Sequence, residues 1–295
     1  MPELPEVEIL LRHLRPLLRG RTIRAVEVHR PRVIRPTPVD QLRQTLTGAK
    51  ILDLQRRGKY LLFHLRPAAD QTAPRTRVNP RPLVQVQLLG HLGMTGRMYL
   101  SARTRPHPKH TAVTLDLGPR HFIYEDPRYF GRLTLDLTSL DNLGPEPWDP
   151  DLTPKAFRQS LQRSRQAIKI RLLDQTLIAG IGNIYASEAL YRARISPRQA
   201  AHRLTLPETT RLLRAIRHVL DRAITGGSTI PLNFSGPSTD KLYYYGRPPD
   251  SPDYYAERLH VYDRAGRACA RCGTHIRRIV QAARSTFYCP QCQKR

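Results

Sequence analysis

The hydrophobic pattern changes period twice along the chain. After Pro5, the residues Val7, Leu10, Leu11 and Leu14 recur at helical spacing, and a proline in the first turn suits the start of a helix. The spacing predicts a short amphipathic helix that carries the N-terminus. Val26 and Val28, Leu52 and Leu54, and Val84, Val86 and Leu88 around Gln85 and Gln87 then alternate with period two, as do Val113, Leu115 and Leu117 and later Leu133, Leu135 and Leu137. Such alternation marks half-buried strands, and this many of them predict a β-sandwich or barrel. Residues 67–82 break the pattern with four prolines and are expected to form an exposed loop.

From Thr138 to Pro154 the chain is rich in Pro and Asp, as expected of a hinge, and beyond it the period turns helical again. Leu212, Leu213, Ile216, Val219 and Leu220 form an apolar stripe after Pro207, and Gly226 and Gly227 are placed to stop that helix. Gly, Pro, Ser and Tyr dominate from Phe234 to Tyr255, which reads as a flexible loop before a cysteine-bearing end. The expectation is an α+β multidomain chain. Residues 1–137 form a β-sandwich with a leading helix, 138–154 a linker, 155–258 a helical domain with a loop, and 259–295 a β-hairpin module.

Charge narrows the partners. Lys and Arg number 49 against 24 Asp and Glu, a balance of +25 that a metabolite enzyme or a scaffold does not need, so a polyanion, nucleic acid first, is the natural partner. No stretch approaches the 18 or more apolar residues of a membrane span, and the N-terminus lacks the apolar run of a secretory signal. A soluble protein of the cytoplasm is expected. All four cysteines fall in two C-x-x-C pairs, Cys269 and Cys272, then Cys289 and Cys292, sixteen residues apart. In a reducing cytosol that spacing points to one tetrahedral zinc ion and not to disulfides. With no ligand position open, the ion would be structural and would fold a hairpin. A redox pair fits less well, because neither motif lies in a βαβ context. Arg277, Arg278 and Arg284 lie between the pairs, so the tip of the hairpin is expected to meet phosphates.

Eight segments in order carry a family resemblance: MPELPEVE, QRRGKYLL, HLGMTGR, DPRYFG, GPEP, IAGIGNIYASE, GGST and the cysteine ribbon. The chain resembles the formamidopyrimidine-DNA glycosylases along its whole length. The sister branch, the endonuclease VIII enzymes, usually opens Pro-Glu-Gly-Pro, so Leu4 and Val7 favour the first branch. The resemblance implies a helix-two-turns-helix element in the helical domain and a basic cleft between the two halves. It implies double-stranded DNA with a damaged base as partner, action as a monomer, and the joint activity of a base-excision glycosylase and abasic-site lyase. No redox or organic cofactor is implied.

Residue chemistry and resemblance meet at the opening motif. Met1 precedes a small residue, so its removal is routine and would leave a secondary amine on Pro2. An α-amine titrates near about 7.7 to 8, so a neutral fraction exists at physiological pH. A neutral amine can attack a sugar C1′ and form an iminium. By resemblance Glu3 is the general acid/base for sugar ring opening, Glu6 a supporting carboxylate, and Lys59 a contact to a lesion-flanking phosphate. Without the other motifs, Pro2, Pro5 and the two glutamates would read only as a helix start. Met94, Arg128 and Phe130 match the family's set that fills the void left by an extruded base, since a thioether and a ring can wedge between bases and a guanidinium can bond the orphaned partner. Tyr129 stands where relatives commonly carry a second Arg. Asn183 and Arg284 match residues that grip phosphate, Lys169 one that reaches the lesion side, and Glu188 one near the lesion pocket.

The stretch after Gly226-Gly227-Ser228-Thr229 departs most from the family pattern. It is long and carries Tyr243, Tyr244, Tyr245, Tyr254 and Tyr255. Tyrosines stack on bases with little regard for identity, so the expectation is an enzyme for oxidised purines that discriminates less sharply against oxidised pyrimidines. Packing of these tyrosines on the zinc module is the plainer alternative. An endonuclease VIII-like preference for pyrimidines, and a non-catalytic nucleic-acid binder on the same fold, stay open as alternatives at this point.

Overall fold

The computed structural model describes residues 2–68, 85–104, 106–226 and 259–294. Most of the expected loop at 67–82, Val84, the GGST segment beyond Gly226 and the tyrosine-rich stretch 234–255 lie outside the described residues. The described residues fall into two compact units: Pro2 and Glu6–Asp141 group in the first, and Glu3–Pro5 with residues 142–226 and 259–294 in the second.

The first unit contains most of helix α1 (Leu4–Leu18), whose Val7, Leu10, Leu14 and Leu18 are fully buried, as the helical spacing predicts. Two four-stranded antiparallel sheets follow. One has the order β1 (Ala25–Val28), β6 (Thr111–Asp116), β7 (Arg120–Glu125), β5 (Arg97–Ala102). The other runs β2 (Lys50–Arg57), β3 (Tyr60–Arg66), β4 (Val86–His91), β8 (Arg132–Thr134). Phe63 of one sheet meets Phe122 of the other edge to face with ring centroids 5.7 Å apart, so the sheets share one core. Helix α2 (Val39–Leu46), which the alternation does not reveal, adds Leu42 and Leu46 to it.

Two strands differ from expectation. A bulge between Ile51 and Asp53 shifts the register of β2, so Ile51 and Leu54 are buried while Leu52 is only half-buried. Strand β8 ends at Thr134. The Leu135 N–H donates to Thr37 Oγ1 at 3.0 Å instead of extending the ladder, and Leu135 and Leu137 fall beyond the strand.

The second unit is helical: α3 (Pro154–Gln162), α4 (Ile168–Leu173), α5 (Asn183–Ala193) and α6 (Leu206–Thr225). Leu212, Leu213, Ile216 and Leu220 of α6 are buried against Leu190, Phe157 and Leu172, and Val219 is partly buried beside them. The hairpin β9 (Arg277–Gln281) and β10 (Arg284–Tyr288) has its own small core of Val261, Ile276, Phe287 and Tyr191. Among the described residues no helix is long and apolar enough to cross a membrane.

Helix α6 starts with a full capping box. Thr205 Oγ1 accepts from the Glu208 N–H, and the Glu208 carboxylate accepts from the Thr205 N–H at 2.8 Å. Thr205→Ala should therefore lower unfolding stability by about 1 kcal/mol, while Thr205→Asp, which can still cap, should stay near the parent protein. Denaturant midpoints check this; equal loss in both variants would mean the cap does not matter.

Candidate functional site

In the first unit two loops meet at a pair of glycines. Gly93 has φ +59, and a Cβ there would come within 2.5 Å of the Gly131 backbone, so neither loop tolerates a side chain at the crossing. Asp126, fully buried, ties the second loop together: it accepts from Thr95 Oγ1 at 2.7 Å, the Gly131 N–H at 2.8 Å and the Arg128 N–H at 3.2 Å. Between these fixed points Met94 and Phe130 stand out in solvent, 39% and 48% exposed. The Arg128 guanidinium lies 5.0 Å over the Phe130 ring. Core packing, the ordinary fate of a Met and a Phe, is thus not what these two do. Tyr129 turns back at φ 53, and its hydroxyl accepts from Arg30 Nε at 3.1 Å.

Lys59 follows Gly58, at φ +56, in the tight turn closed by the pair Arg57 and Tyr60. It is buried, as are Pro2 and Glu6. The half-buried His91 is pushed down to about 4, by desolvation first and then by the charges of Lys59 and Arg132. Its Nδ1 accepts from the Gly93 N–H at 3.1 Å and Tyr60 packs on its ring at 4.8 Å, so a neutral imidazole supports the Met94 loop. Sequence reasoning singled out neither His91 nor Asp126, although both lie inside quoted motifs.

In the second unit the Glu3 carboxylate sits at the start of α5. Helix α5 begins at Gly182, which has no side chain to cap it. Glu3 takes that place from across the sequence: Oε2 accepts from Gly182 N–H at 2.7 Å and Tyr185 N–H at 3.3 Å, and Oε1 from Ile184 N–H at 2.8 Å. A Cβ on Gly182 would fall onto the Glu3 carboxylate, and one on Gly180, at φ +92, onto Leu4. The Leu4 N–H also donates to Gly180 O at 3.0 Å. Close backbone approach is therefore the work of both glycines in the GIG sequence.

Lys169 is fully buried below the same turn of α5, donating to Asn183 O at 2.9 Å and Ser187 Oγ at 2.6 Å. Burial pushes its ammonium down to about 7, against the pull of Glu3 and Glu188 and with a small push from Arg284. Asn183 Nδ2 donates to Ser285 O at 2.9 Å, joining the helix start to the hairpin next to the exposed Arg284. Glu188 lies in the middle of α5, not in its first turn. Its carboxylate accepts three backbone N–H groups, from His260, Val261 and Tyr262, each at 2.9 Å, and so holds the entry to the cysteine module.

The hairpin turns at Ala282 and Ala283, both with positive φ, and the closing pair is Gln281 with Arg284. Arg284 is therefore at the tip. Arg277 pairs with Tyr288 at the opposite end, so Arg284 is the one of the three arginines in the pair that closes the turn.

The sulfurs of Cys269 and Cys292 are 3.9 Å apart, those of Cys272 and Cys289 3.5 Å, and those of Cys292 and Cys272 3.4 Å. Zinc–sulfur bonds of about 2.3 Å in a tetrahedron put sulfurs about 3.8 Å apart, so the set fits one zinc ion. The knuckles already show the usual second contacts, with Arg271 N–H donating to Cys269 Sγ and Cys292 N–H to Cys289 Sγ, each at 3.4 Å. Four thiolates close the coordination sphere, and the zinc is structural.

Three family models match in sequence. They are the formamidopyrimidine-DNA glycosylase N-terminal domain over residues 1–133, the H2TH domain of the same enzymes over 143–233, and the zinc finger found in FPG and IleRS over 266–295. The chain belongs to the formamidopyrimidine-DNA glycosylase family. A formamidopyrimidine-DNA glycosylase of Thermus thermophilus is 42% identical over 99% of this chain and 98% of its own, and one of Symbiobacterium thermophilum is 40% identical over 99% and 89%. The solved Lactococcus lactis formamidopyrimidine-DNA glycosylase, bound to DNA containing an N7-benzyl-Fapy-dG, superposes with a TM-score of 0.83 at 33% identity over all of both chains. The same enzyme bound non-covalently to DNA with an abasic site gives 0.81 over 99% of this chain.

A lysine with a folded pKa below its unfolded value weakens the fold at low pH. Between about pH 7 and 10 the unfolded chain holds a proton that folded Lys169 has lost, so its contribution to stability rises with pH across that window. Lys169→Met keeps the bulk and loses the titration. The parent protein should therefore gain stability relative to Lys169→Met between pH 7 and 9.5, measured by denaturant midpoints. A constant difference would show that Lys169 stays charged.

Proposed function

We propose that this protein is a bifunctional DNA glycosylase and abasic-site lyase of base excision repair, acting on oxidised purines such as 8-oxoguanine and ring-opened formamidopyrimidines in double-stranded DNA. The observation that carries the reading is the exposed triad Met94, Arg128 and Phe130 on two glycine-locked loops of a chain with net charge +25. Large apolar side chains held rigidly in water are costly unless something covers them, and a duplex with one base extruded offers a gap of that size. Arg128 then bonds the unpaired partner base while Met94 and Phe130 fill the stack.

In this reading Met1 is removed, and the Pro2 amine displaces the damaged base at C1′ to leave an iminium. Glu3 acts as general acid/base on the ring oxygen, with Glu6 in support. The sugar then loses both phosphates by β and δ elimination. Lys59, Asn183 and Arg284 hold phosphates next to the lesion, and Lys169 and Glu188 belong to its side of the site. The zinc ion shapes the hairpin that carries Arg284 and takes no part in the chemistry. The division into residues 1–137, 138–154, 155–258 and 259–295, action as a monomer and a cytoplasmic location complete the proposal.

Borohydride trapping tests it. Incubation with an 8-oxoguanine duplex should give a covalent adduct that peptide mapping assigns to Pro2; an adduct on a lysine, or full activity in a chain that keeps Met1, would overturn the assignment. Phe130→Ala should lower trapping on the 8-oxoguanine duplex at least about tenfold, yet leave trapping on a preformed abasic site near normal, because unstacking an intact base is the step the wedge assists. Equal loss on both substrates would remove the wedge role.

A further inference from the structure

The chemistry proposed above uses none of the histidines on the outer face of the first sheet. Glu27 on β1 and His29, the first residue past its end, are two apart, while Val26 and Val28 turn to the core. The segment leading into β6 brings His107 over that face. Its ring meets His29 edge to face with centroids 5.4 Å apart, and its Nε2 is hydrogen-bonded to Nδ1 of His121, on β7, at 3.1 Å. One carboxylate oxygen of Glu27 and one ring nitrogen each of His29 and His107 all lie within 4.8 Å of one another. His29 Nε2 is 3.6 Å from the Glu27 carboxylate and 3.2 Å from Thr114 Oγ1.

We infer that Glu27, His29 and His107 form a second cation site, separate from the cysteine cluster, for a divalent ion of the zinc class. Three reasons support it. Two imidazoles and a carboxylate are the donor set that zinc, cobalt and nickel take, and calcium or magnesium do not. A ligating histidine usually gives its other N–H to an acceptor that fixes the ring, and His121 stands in that relation to His107. The carboxylate supplies the negative charge that a dication needs on so basic a chain. Three protein ligands leave a fourth position for water, so the ion would be exchangeable, unlike the one enclosed by four thiolates.

Metal counting on the full-length protein tests the inference. Equilibrated with buffered zinc, the protein should hold two ions per chain, one resistant to a mild chelator and one released by it. A His29→Asn, His107→Asn double variant should hold one, with unchanged resistance of that ion and unchanged activity on an abasic duplex. His121→Ala should weaken the exchangeable ion about tenfold without touching the other. Cobalt gives a second reading: the first equivalent should bring the strong near-ultraviolet bands of thiolate ligation, and the second only weak visible bands that the double variant lacks. One ion in the parent protein, two in the double variant, or thiolate bands with both equivalents would overturn the site.

Discussion

The carboxylate of Glu3 on the N-terminus of α5 is the contact on which the opening of the chain depends. Helix α5 starts at a glycine that cannot cap it, so several backbone N–H groups would be left without partners in a buried place. Glu3 accepts three of them. A buried carboxylate with such donors and the positive end of a helix dipole in front of it is a stable arrangement, and moving it would strand both the charge and the N–H groups. Residues Glu3–Pro5 therefore belong to the second unit by contact, although the rest of α1 belongs to the first. The reactive residue proposed here, Pro2, is the immediate neighbour of that fixed carboxylate, and a chain end that would otherwise fray is given a definite place.

Other buried polar groups of the second unit lie in the same neighbourhood. Lys169, Asn183 and Ser187 bond to one another under the first turn of α5, while Glu188 one turn further on secures the start of the cysteine module. The Asn183 side chain reaches the hairpin at Ser285. One helix thus receives the N-terminal carboxylate at its beginning and the zinc-bearing segment at its middle. In the first unit Asp126 does the comparable work for the loops of Met94 and Phe130, beside the turn bonds from Gly96 N–H to Leu92 O and from Tyr129 N–H to Asp126 O.

Much of this was legible in the sequence, and the parts that were not share a cause. The spacing of Val7, Leu10, Leu11 and Leu14 gave the first helix, because a helix face repeats locally. The cysteine spacing gave the zinc site, because ligand geometry is also local. Strand β2 misled the reading at Leu52, since one bulge moves every later side chain to the other face and leaves no mark in the alternation. Strand β8 ran short because a threonine almost a hundred residues away took the next N–H. Glu3 looked like a helix-start carboxylate or an acid/base group; its role as the cap of a helix 180 residues later depends on tertiary contact that no local pattern carries. Motif recognition compensated for this at Glu3, Asn183 and Glu188, which it marked as site residues without revealing what each one touches.

Gly182→Ala tests the central contact most directly, because the atoms nearest the added methyl belong to the Glu3 carboxylate. The measurement is single-turnover cleavage of a duplex that already contains an abasic site, with thermal melting and DNA binding recorded in parallel. If Glu3 fixes the opening residues, cleavage should fall about a hundredfold, as expected for a small displacement of reacting groups. Melting should drop only modestly, and binding should persist. Cleavage at the parent rate in a folded Gly182→Ala protein would contradict the account.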